Sequence, residues 1–263
     1  MISEYLQNIK GLIIDMDGVL WRDTQPIGQL PEIFSEIRQL GLKFILATNN
    51  ASRTVDQYLA KLADFDVKLE SDQIITAALA TGIYLREHYG EGTRVYVVGQ
   101  SSLKNTLASY GLTILEDDDK DAAVVIASID FNLSYEKIKH ASLLIQSGSV
   151  FIGTNPDRTL PTPEGLIPGS GTIIGALEIA SGKKAKFIGK PEPLLYQMAF
   201  QKLDLLPEET LAIGDRLETD IAGAQAAGIH TALVLSGAST LSQAEGFDPK
   251  PEIICSDLSE LIF

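Results

Sequence analysis

Residues 12–14 form a short apolar run that ends abruptly in two carboxylates, Asp15 and Asp17, followed by Gly18. A run of this length with such an ending predicts a buried β-strand whose C-terminal tip presents acid. In an open parallel sheet, ligands bind just beyond the carboxyl ends of the strands. The two aspartates are therefore expected at the ligand-binding edge of the sheet. An Asx turn with solvated carboxylates explains the pair equally well.

A carboxylate in this position has two chemical uses. It can attack phosphorus and form an aspartyl phosphate, and it can hold Mg²⁺, which prefers oxygen ligands. A calcium-binding loop is less expected, because the acids follow a strand directly and the third acid and the glutamate of that motif are missing. The residues at the other strand ends must decide between these interpretations.

Three further predicted strands, over residues 43–47, 186–189 and 211–214, also end in polar groups. In chain order these groups are Thr48, Asn49 and Asn50, then Lys190, then Asp215 with Asp220 five residues later. Taken singly, each has an ordinary explanation as a helix N-cap, a surface charge or a favourable charge at a helix N-terminus. Together they supply a nucleophile, a second acid, neutral donors, a cation and metal ligands. That combination suits phosphoryl transfer, which depends on positioning and charge neutralisation.

The rest of the chain alternates predicted strands and helices, which indicates an α/β architecture with parallel sheets. The alternation restarts near residue 77, and the strand ends of this middle segment carry no comparable acid pair. Two of its loops stand out, residues 153–158 and the glycine-rich residues 168–172, although turn chemistry explains them as well as anion binding does. Trp21 lies in a tight excursion after the first strand, where it is interpreted as pinning a hairpin, with a wall of the active site as the alternative.

Composition excludes several classes of function. The 263 residues carry a formal net charge of -14, which argues against nucleic-acid binding and against an anionic membrane surface. Cys255 is the only cysteine, so no intramolecular disulfide can form. No apolar stretch is long enough to cross a bilayer, and with no export signal a cytoplasmic location is the expectation.

The motifs resemble those of the haloacid dehalogenase superfamily of Mg²⁺-dependent phosphatases. The matching segments are Asp15-Met16-Asp17-Gly18, Thr48, Lys190 and Gly214-Asp215 with Asp220. The long insert between Thr48 and Lys190 resembles the α/β cap of the NagD-like, 4-nitrophenylphosphatase-like subgroup. The resemblance covers nearly the whole chain. It implies a doubly wound parallel-sheet, Rossmann-like core of residues 1–76 and 185–263 and an inserted α/β cap domain of residues 77–184.

The resemblance also implies a role for each acid. Asp15 would attack phosphorus and bind Mg²⁺ through its other oxygen. Asp17 would protonate the leaving oxygen, then activate water, and its backbone carbonyl would bind the metal. Asp215 would be the third protein ligand of the metal, and Asp220 would orient metal-bound water from the second shell around the ion.

The polar groups of the other motifs would bind the phosphate. Thr48, Asn49 and Lys190 would hold its oxygens, and Asn50 is expected as a further contact. In the pyridoxal phosphate phosphatases of the subgroup, a cap-loop histidine occupies the position of Leu160, so that substrate is less expected here. Asp157 and Arg158, in the first cap loop, are expected to influence substrate preference.

The expected activity is hydrolysis of a small phosphomonoester, of the sugar, nucleotide or glycolate phosphate class, with Mg²⁺ as cofactor and 4-nitrophenyl phosphate as an artificial substrate. Dehalogenation is disfavoured because that chemistry needs no metal, whereas Asp17 and Asp215 supply metal ligands. A phosphomutase and a phosphate-sensing, receiver-like protein remain alternatives; a receiver needs only one small domain and no second acid such as Asp17. The expected partner is a small molecule, and the subgroup suggests a homo-oligomer formed through the cap.

Overall fold

Two parallel sheets, each packed between helices, account for most of the chain in the computed structural model, which describes residues 8–162 and 164–263. Residues 1–7, which belong to the predicted first core segment, and residue 163, in the predicted cap, lie outside the described range. The predicted α/β class with parallel sheets is confirmed.

The first sheet has six parallel strands. From one edge to the other they are β15 (Ile253–Cys255), β14 (His230–Val234), β13 (Thr210–Gly214), β1 (Gly11–Ile14), β4 (Lys43–Thr48) and β5 (Ile74–Thr76). Strand β1 is central and pairs in register with both β13 and β4. The carboxyl ends of these three strands therefore lie side by side.

The second sheet has five parallel strands drawn from the middle of the chain. In spatial order they are β12 (Lys186–Phe187), β9 (Val150–Gly153), β8 (Val124–Ala127), β6 (Arg94–Val98) and β7 (Thr113–Ile114). Two antiparallel hairpins complete the strands of the described residues: β2 (Trp21–Arg22) with β3 (Gln25–Pro26), and β10 (Thr159–Thr162) with β11 (Gly165–Pro168).

Helices connect the strands in both parts of the chain. Those of the first part are α1 (Leu30–Gln39), α2 (Val55–Asp64), α7 (Leu194–Leu203), α8 (Ala222–Ala226), α9 (Leu241–Glu245) and α10 (Leu258–Ile262). Those of the middle segment are α3 (Ala77–Tyr89), α4 (Ser101–Ser109), α5 (Tyr135–Gln146) and α6 (Ser170–Ser181). Within the described residues, no helix is long and apolar enough to cross a membrane.

Helices cover both faces of the first sheet, as the doubly wound class requires. Successive residues of a strand point to opposite faces. Leu12 and Ile14 accordingly belong to one apolar cluster with Phe34 of α1, whereas Ile13 belongs to a second cluster with Leu195 of α7. The second cluster continues into the other sheet, where Val95 is among its members, so one apolar core links the two parts.

Among the strands that pair in the two parallel sheets, β5 and β12 differ from the sequence-based prediction. Strand β5 was not predicted, because it has only three residues and leads directly into α3, so it shows no alternation of apolar and polar residues. The predicted second core segment begins at residue 185, yet β12 pairs with β9 of the second sheet. Which sheet a two-residue strand joins depends on the strand that it pairs with in space, and the local sequence does not reveal that partner.

Candidate active site

One cleft gathers the polar strand ends of the first sheet under loops of the middle segment. Its walls include seven of the eight predicted site residues: Asp15, Asp17, Thr48, Asn49, Asn50, Lys190 and Asp220. The eighth, Asp215, contributes a carboxylate oxygen to the same group of acids. Adjacent pairing of β13, β1 and β4 explains this convergence, since Asp215 and Asp15 follow two of these strands and Thr48 ends the third.

Lys190 is the centre of charge in the cleft. Its side chain is almost fully buried, with the residue 3% exposed. The Nζ atom donates to Asp15 Oδ1 at 2.6 Å, to Asp220 Oδ1 at 2.6 Å and to the carbonyl oxygen of Ala47 at 2.9 Å. Burial disfavours the ammonium charge, but the carboxylates of Asp15 and Asp220 outweigh it and raise the pKa of Lys190. The side chain is therefore a fixed cation.

Three buried carboxylates surround this cation. One oxygen from each of Asp15, Asp215 and Asp220 lies within 4.8 Å of the others. Burial, with a further contribution from Asp220, raises the pKa of Asp215 to about 7. Burial also raises the pKa of Asp15, against the opposing charge of Lys190. When all three acids are ionised, the one ammonium group in contact with them, that of Lys190, does not balance their charge.

This donor set fits a divalent cation. Asp215 Oδ1 is buried and has no hydrogen-bond partner among the described residues, whereas Oδ2 accepts from the backbone N–H of Ala238 at 2.7 Å. An unpaired buried carboxylate oxygen is costly unless a cation or donor meets it. Mg²⁺ takes oxygen ligands from one or two carboxylates and has the charge that the cluster lacks.

Asp220 belongs to the carboxylate cluster, but both of its oxygens already have donors. Besides Lys190 on Oδ1, the backbone N–H of Arg216 donates to Oδ2 at 3.1 Å. A carboxylate held in this way is suited to orienting groups around a cation. Gly214 permits the arrangement, because a Cβ atom there would overlap the side chain of Asp220.

The side chain of Asp17 lies outside the carboxylate cluster and is held by two neutral donors. Trp21 Nε1 donates to Oδ1 at 2.8 Å, and Asn50 Nδ2 donates to Oδ2 at 3.2 Å. Trp21 is fully buried in the predicted hairpin, β2 with β3, so it does not form a wall of the cleft. Its hydrogen bond to Asp17 was not predicted, because no sequence pattern records side-chain orientation.

Asn49 and Asn50, both predicted to contact the phosphate, line the cleft, and their side-chain amides are directed at other residues of it. Asn50 Oδ1 accepts from the N–H and the hydroxyl of Ser52, at 2.9 and 2.7 Å, which turns its amide nitrogen toward Asp17. Asn49 Nδ2 donates to the carbonyl oxygen of Lys190 at 2.9 Å and to Asp157 Oδ2 at 3.3 Å. Both amides therefore organise other residues of the cleft.

The loops of the middle segment form the opposite wall. Asn155 Nδ2 donates to the carbonyl oxygen of Asn49 at 2.7 Å and to Ser170 Oγ at 3.2 Å. The two loops noted in the sequence, residues 153–158 and 168–172, pack on each other there. Gly171 is required at that contact, because a Cβ atom would overlap the carbonyl oxygen of Pro156.

Sequence reasoning missed Arg216, which lines the cleft and links its two walls. Its Nη2 atom donates to the carbonyl oxygen of Thr159 at 3.1 Å. Burial alone would lower its pKa, but Asp157 and Asp215 are among the acids that raise it. Its position directly after Asp215 was the available clue. Burial raises the pKa of Asp157, and the charge of Arg216 opposes that effect.

Comparison with known proteins agrees with this geometry. A family model described as haloacid dehalogenase-like hydrolase matches residues 12–113, and a second, HAD-hydrolase-like model matches residues 187–261. An acid sugar phosphatase of Staphylococcus aureus is 33% identical over 257 residues, which is 98% of each chain. The chain belongs to the haloacid dehalogenase-like hydrolase family.

Solved structures of this family superpose over almost the whole chain. A 4-nitrophenylphosphatase from Thermotoga maritima has a TM-score of 0.91 and 30% identity, with 98% of each chain covered. A glycerol phosphate phosphatase from Mycobacterium tuberculosis, solved with magnesium, has a TM-score of 0.89 and 32% identity over 97% of this chain and 77% of its own. The predicted family and fold class are confirmed.

Proposed function

We propose that this haloacid dehalogenase-like hydrolase removes phosphate from small phosphomonoesters in a Mg²⁺-dependent reaction. The observation that carries the proposal is the buried Lys190, whose Nζ atom bridges Asp15 and Asp220 at 2.6 Å each. That ammonium group neutralises part of the charge that a phosphate dianion would otherwise meet beside Asp15. The positions of Asp17 and Asp215 in the same site complete the set that phosphoryl transfer requires.

Asp15 and Asp17 divide the chemistry between them. A carboxylate oxygen of Asp15 attacks phosphorus, and the bond from phosphorus to the leaving oxygen breaks as that oxygen takes a proton from Asp17. Asp17, now ionised, accepts a proton from the water that attacks the aspartyl phosphate. Inorganic phosphate leaves and both acids return to their first state.

The remaining charged residues hold the anion and the cofactor. Asp15, Asp215 and the backbone carbonyl of Asp17 would hold Mg²⁺, with Asp220 orienting its water ligands. When bound, the ion supplies Lewis-acid stabilisation of the charge on the phosphoryl oxygens. Thr48 and Lys190 would bind phosphate oxygens directly.

Two of the relatives support a small, hydroxylated leaving group. One is described as an acid sugar phosphatase and the other as a glycerol phosphate phosphatase, whereas a third is described as a 4-nitrophenylphosphatase. Leu160, from hairpin strand β10, lines the cleft. The family resemblance places it where pyridoxal phosphate phosphatases carry histidine. We therefore propose a sugar, glycolate or nucleotide phosphate in preference to pyridoxal phosphate. A cap-mediated homo-oligomer remains a prediction.

A phosphate-release screen over many phosphomonoesters, with MgCl₂ or with EDTA, tests the proposal. We expect the wild-type protein to release phosphate with MgCl₂ only, and Asp15→Asn to release none. The matched control is Asp64→Asn, which makes the same change at an exposed position at the end of α2. Release by Asp15→Asn at the wild-type rate would contradict the assignment of the nucleophile.

Analysis of the ester and of the protein after the same incubations separates the alternatives. A phosphomutase would return isomerised phosphate esters with little free phosphate, and a sensor would accumulate phosphorylated protein without turnover. Either result in the wild-type protein, for every substrate screened, would replace hydrolysis as the function.

A further inference from the structure

Trp21 is a buried aromatic residue that directs its one polar hydrogen at a carboxylate. Its side chain is 0% exposed, and its only polar hydrogen, on Nε1, is directed at Asp17 Oδ1 at 2.8 Å. Buried indole N–H groups normally find an acceptor, and many acceptors would serve equally well for stability. Here the acceptor is the acid to which the proposed reaction assigns proton transfer.

The indole ring is fixed from several sides. Its centroid lies 6.3 Å from that of Tyr58, with 17° between the ring planes, and 6.1 Å from that of Phe65. Lys61 Nζ lies 3.9 Å from the ring centroid and donates to the carbonyl oxygen of Asp23 at 2.6 Å. Burial lowers the pKa of Lys61 to about 8. A ring packed in this way holds its N–H in one direction.

The two donors on Asp17 make its carboxyl oxygens inequivalent. Oδ1 can accept from the Trp21 N–H whether the acid is protonated or ionised, so the bond persists through the cycle. Oδ2 receives the longer contact, 3.2 Å from Asn50 Nδ2, and retains a lone pair for a proton. The longer contact makes Oδ2 the oxygen that is more readily available for proton transfer.

We propose that Trp21 is a positioning residue, which fixes the carboxyl group of Asp17 so that Oδ2 meets the leaving oxygen and later the attacking water. The inference rests on the proposed phosphatase reaction. In its first half, the Asp15–phosphorus bond forms, the bond to the leaving oxygen breaks and the Oδ2 proton moves to that oxygen. In its second half, water attacks phosphorus, its proton returns to Oδ2 and the Asp15–phosphorus bond breaks.

The dependence on the leaving group tests this role. An alkoxide leaves only with a proton, whereas 4-nitrophenolate leaves without one, so only the alkyl ester needs Asp17 in the step that kcat/KM reports. Trp21→Phe keeps an aromatic ring and removes the donor. We expect it to lower kcat/KM for the best alkyl phosphate of the screen by about 10- to 100-fold, the effect of losing a hydrogen bond to a charged group. For 4-nitrophenyl phosphate we expect a change below about 3-fold, with a burst of 4-nitrophenolate as water attack slows.

The matched control perturbs the same aromatic cluster without touching Asp17. Phe65→Leu should change kcat/KM for both esters by the same small factor. Equal losses for both esters in Trp21→Phe, or a gain with the alkyl ester, would overturn the positioning role. If the wild-type protein hydrolyses neither ester, the proposed function itself fails, which is a separate outcome.

A second replacement keeps the test decisive if Trp21→Phe unfolds. The chain contains a single tryptophan, so global replacement of tryptophan by β-(3-benzothienyl)alanine alters position 21 alone. Sulfur then stands where the indole N–H was, with nearly unchanged ring shape. The same selective loss with the alkyl ester is expected, and its absence would contradict the proposal.

Discussion

Asp215→Asn should make the metal-free protein more stable and should abolish phosphatase activity. The carboxylate is 1% exposed, and Oδ1 has no donor among the described residues. The amide of asparagine removes the buried charge, and its oxygen can keep the hydrogen bond from the N–H of Ala238. The variant loses a ligand of the proposed magnesium site, so stability and activity should change in opposite directions.

The magnitude follows from the pKa of Asp215. The unfolded chain releases the proton near pH 3.8, whereas the folded protein holds it to about pH 7, because burial disfavours the charge. The stability that this group contributes is therefore complete below pH 3.8 and is lost as the pH rises to about 7. At 1.36 kcal/mol per pKa unit, the full loss is about 4 kcal/mol, of which about 3 kcal/mol falls between pH 5 and pH 8.

Thermal unfolding in EDTA at pH 5 and pH 8 measures this difference. The Tm advantage of Asp215→Asn over wild type should grow by roughly 5–10 °C between these values. MgCl₂ should raise the Tm of wild type, most at pH 8, and leave the variant unchanged. The exposed control Asp64→Asn should show no pH-dependent Tm advantage over wild type and should respond to MgCl₂ as wild type does. An advantage that is equal at both pH values, or a less stable variant at pH 8, would refute the reasoning.

Two further substitutions test how the walls of the cleft are joined. Asn155→Ala removes the donor to the carbonyl oxygen of Asn49, and we expect a loss of about 1–3 kcal/mol in unfolding free energy together with a raised KM; the exposed Asn105→Ala is the control, and unchanged stability would contradict the link. Gly189→Ala would place a Cβ atom 2.5 Å from both Asn49 Oδ1 and the carbonyl oxygen of Thr154. We expect the unfolding free energy to fall by about 1–3 kcal/mol. A Tm equal to that of wild type would contradict this prediction.

The sequence predicted which segments meet, because burial and strand ends leave a local pattern. Asp15 and Asp215 each follow an apolar run, and parallel pairing of those runs brings the acids together. Several helices, α1 among them, also follow from local pattern. The stripe of Ile33, Phe34 and Ile37 in α1 is buried as its spacing indicates.

Side-chain direction and strand partners could not be predicted in the same way. Asn50 belongs to a motif that suggested phosphate binding, yet Ser52 turns its amide toward Asp17. Arg216 reaches Thr159, a residue 57 positions away in the chain. These choices depend on the positions of groups remote in sequence, so local periodicity carries no record of them.

The short path from β12 to Lys190 has a mechanical consequence. Strand β12 ends at Phe187, three residues before Lys190, and three residues span at most about 10 Å. Gly189 N–H is tied to the carbonyl oxygen of Thr154 at 2.8 Å, beside the second sheet. Rocking of the second sheet would therefore move the ammonium group of Lys190 away from Asp15. Opening of the cleft and loss of its positive charge would then occur in one movement.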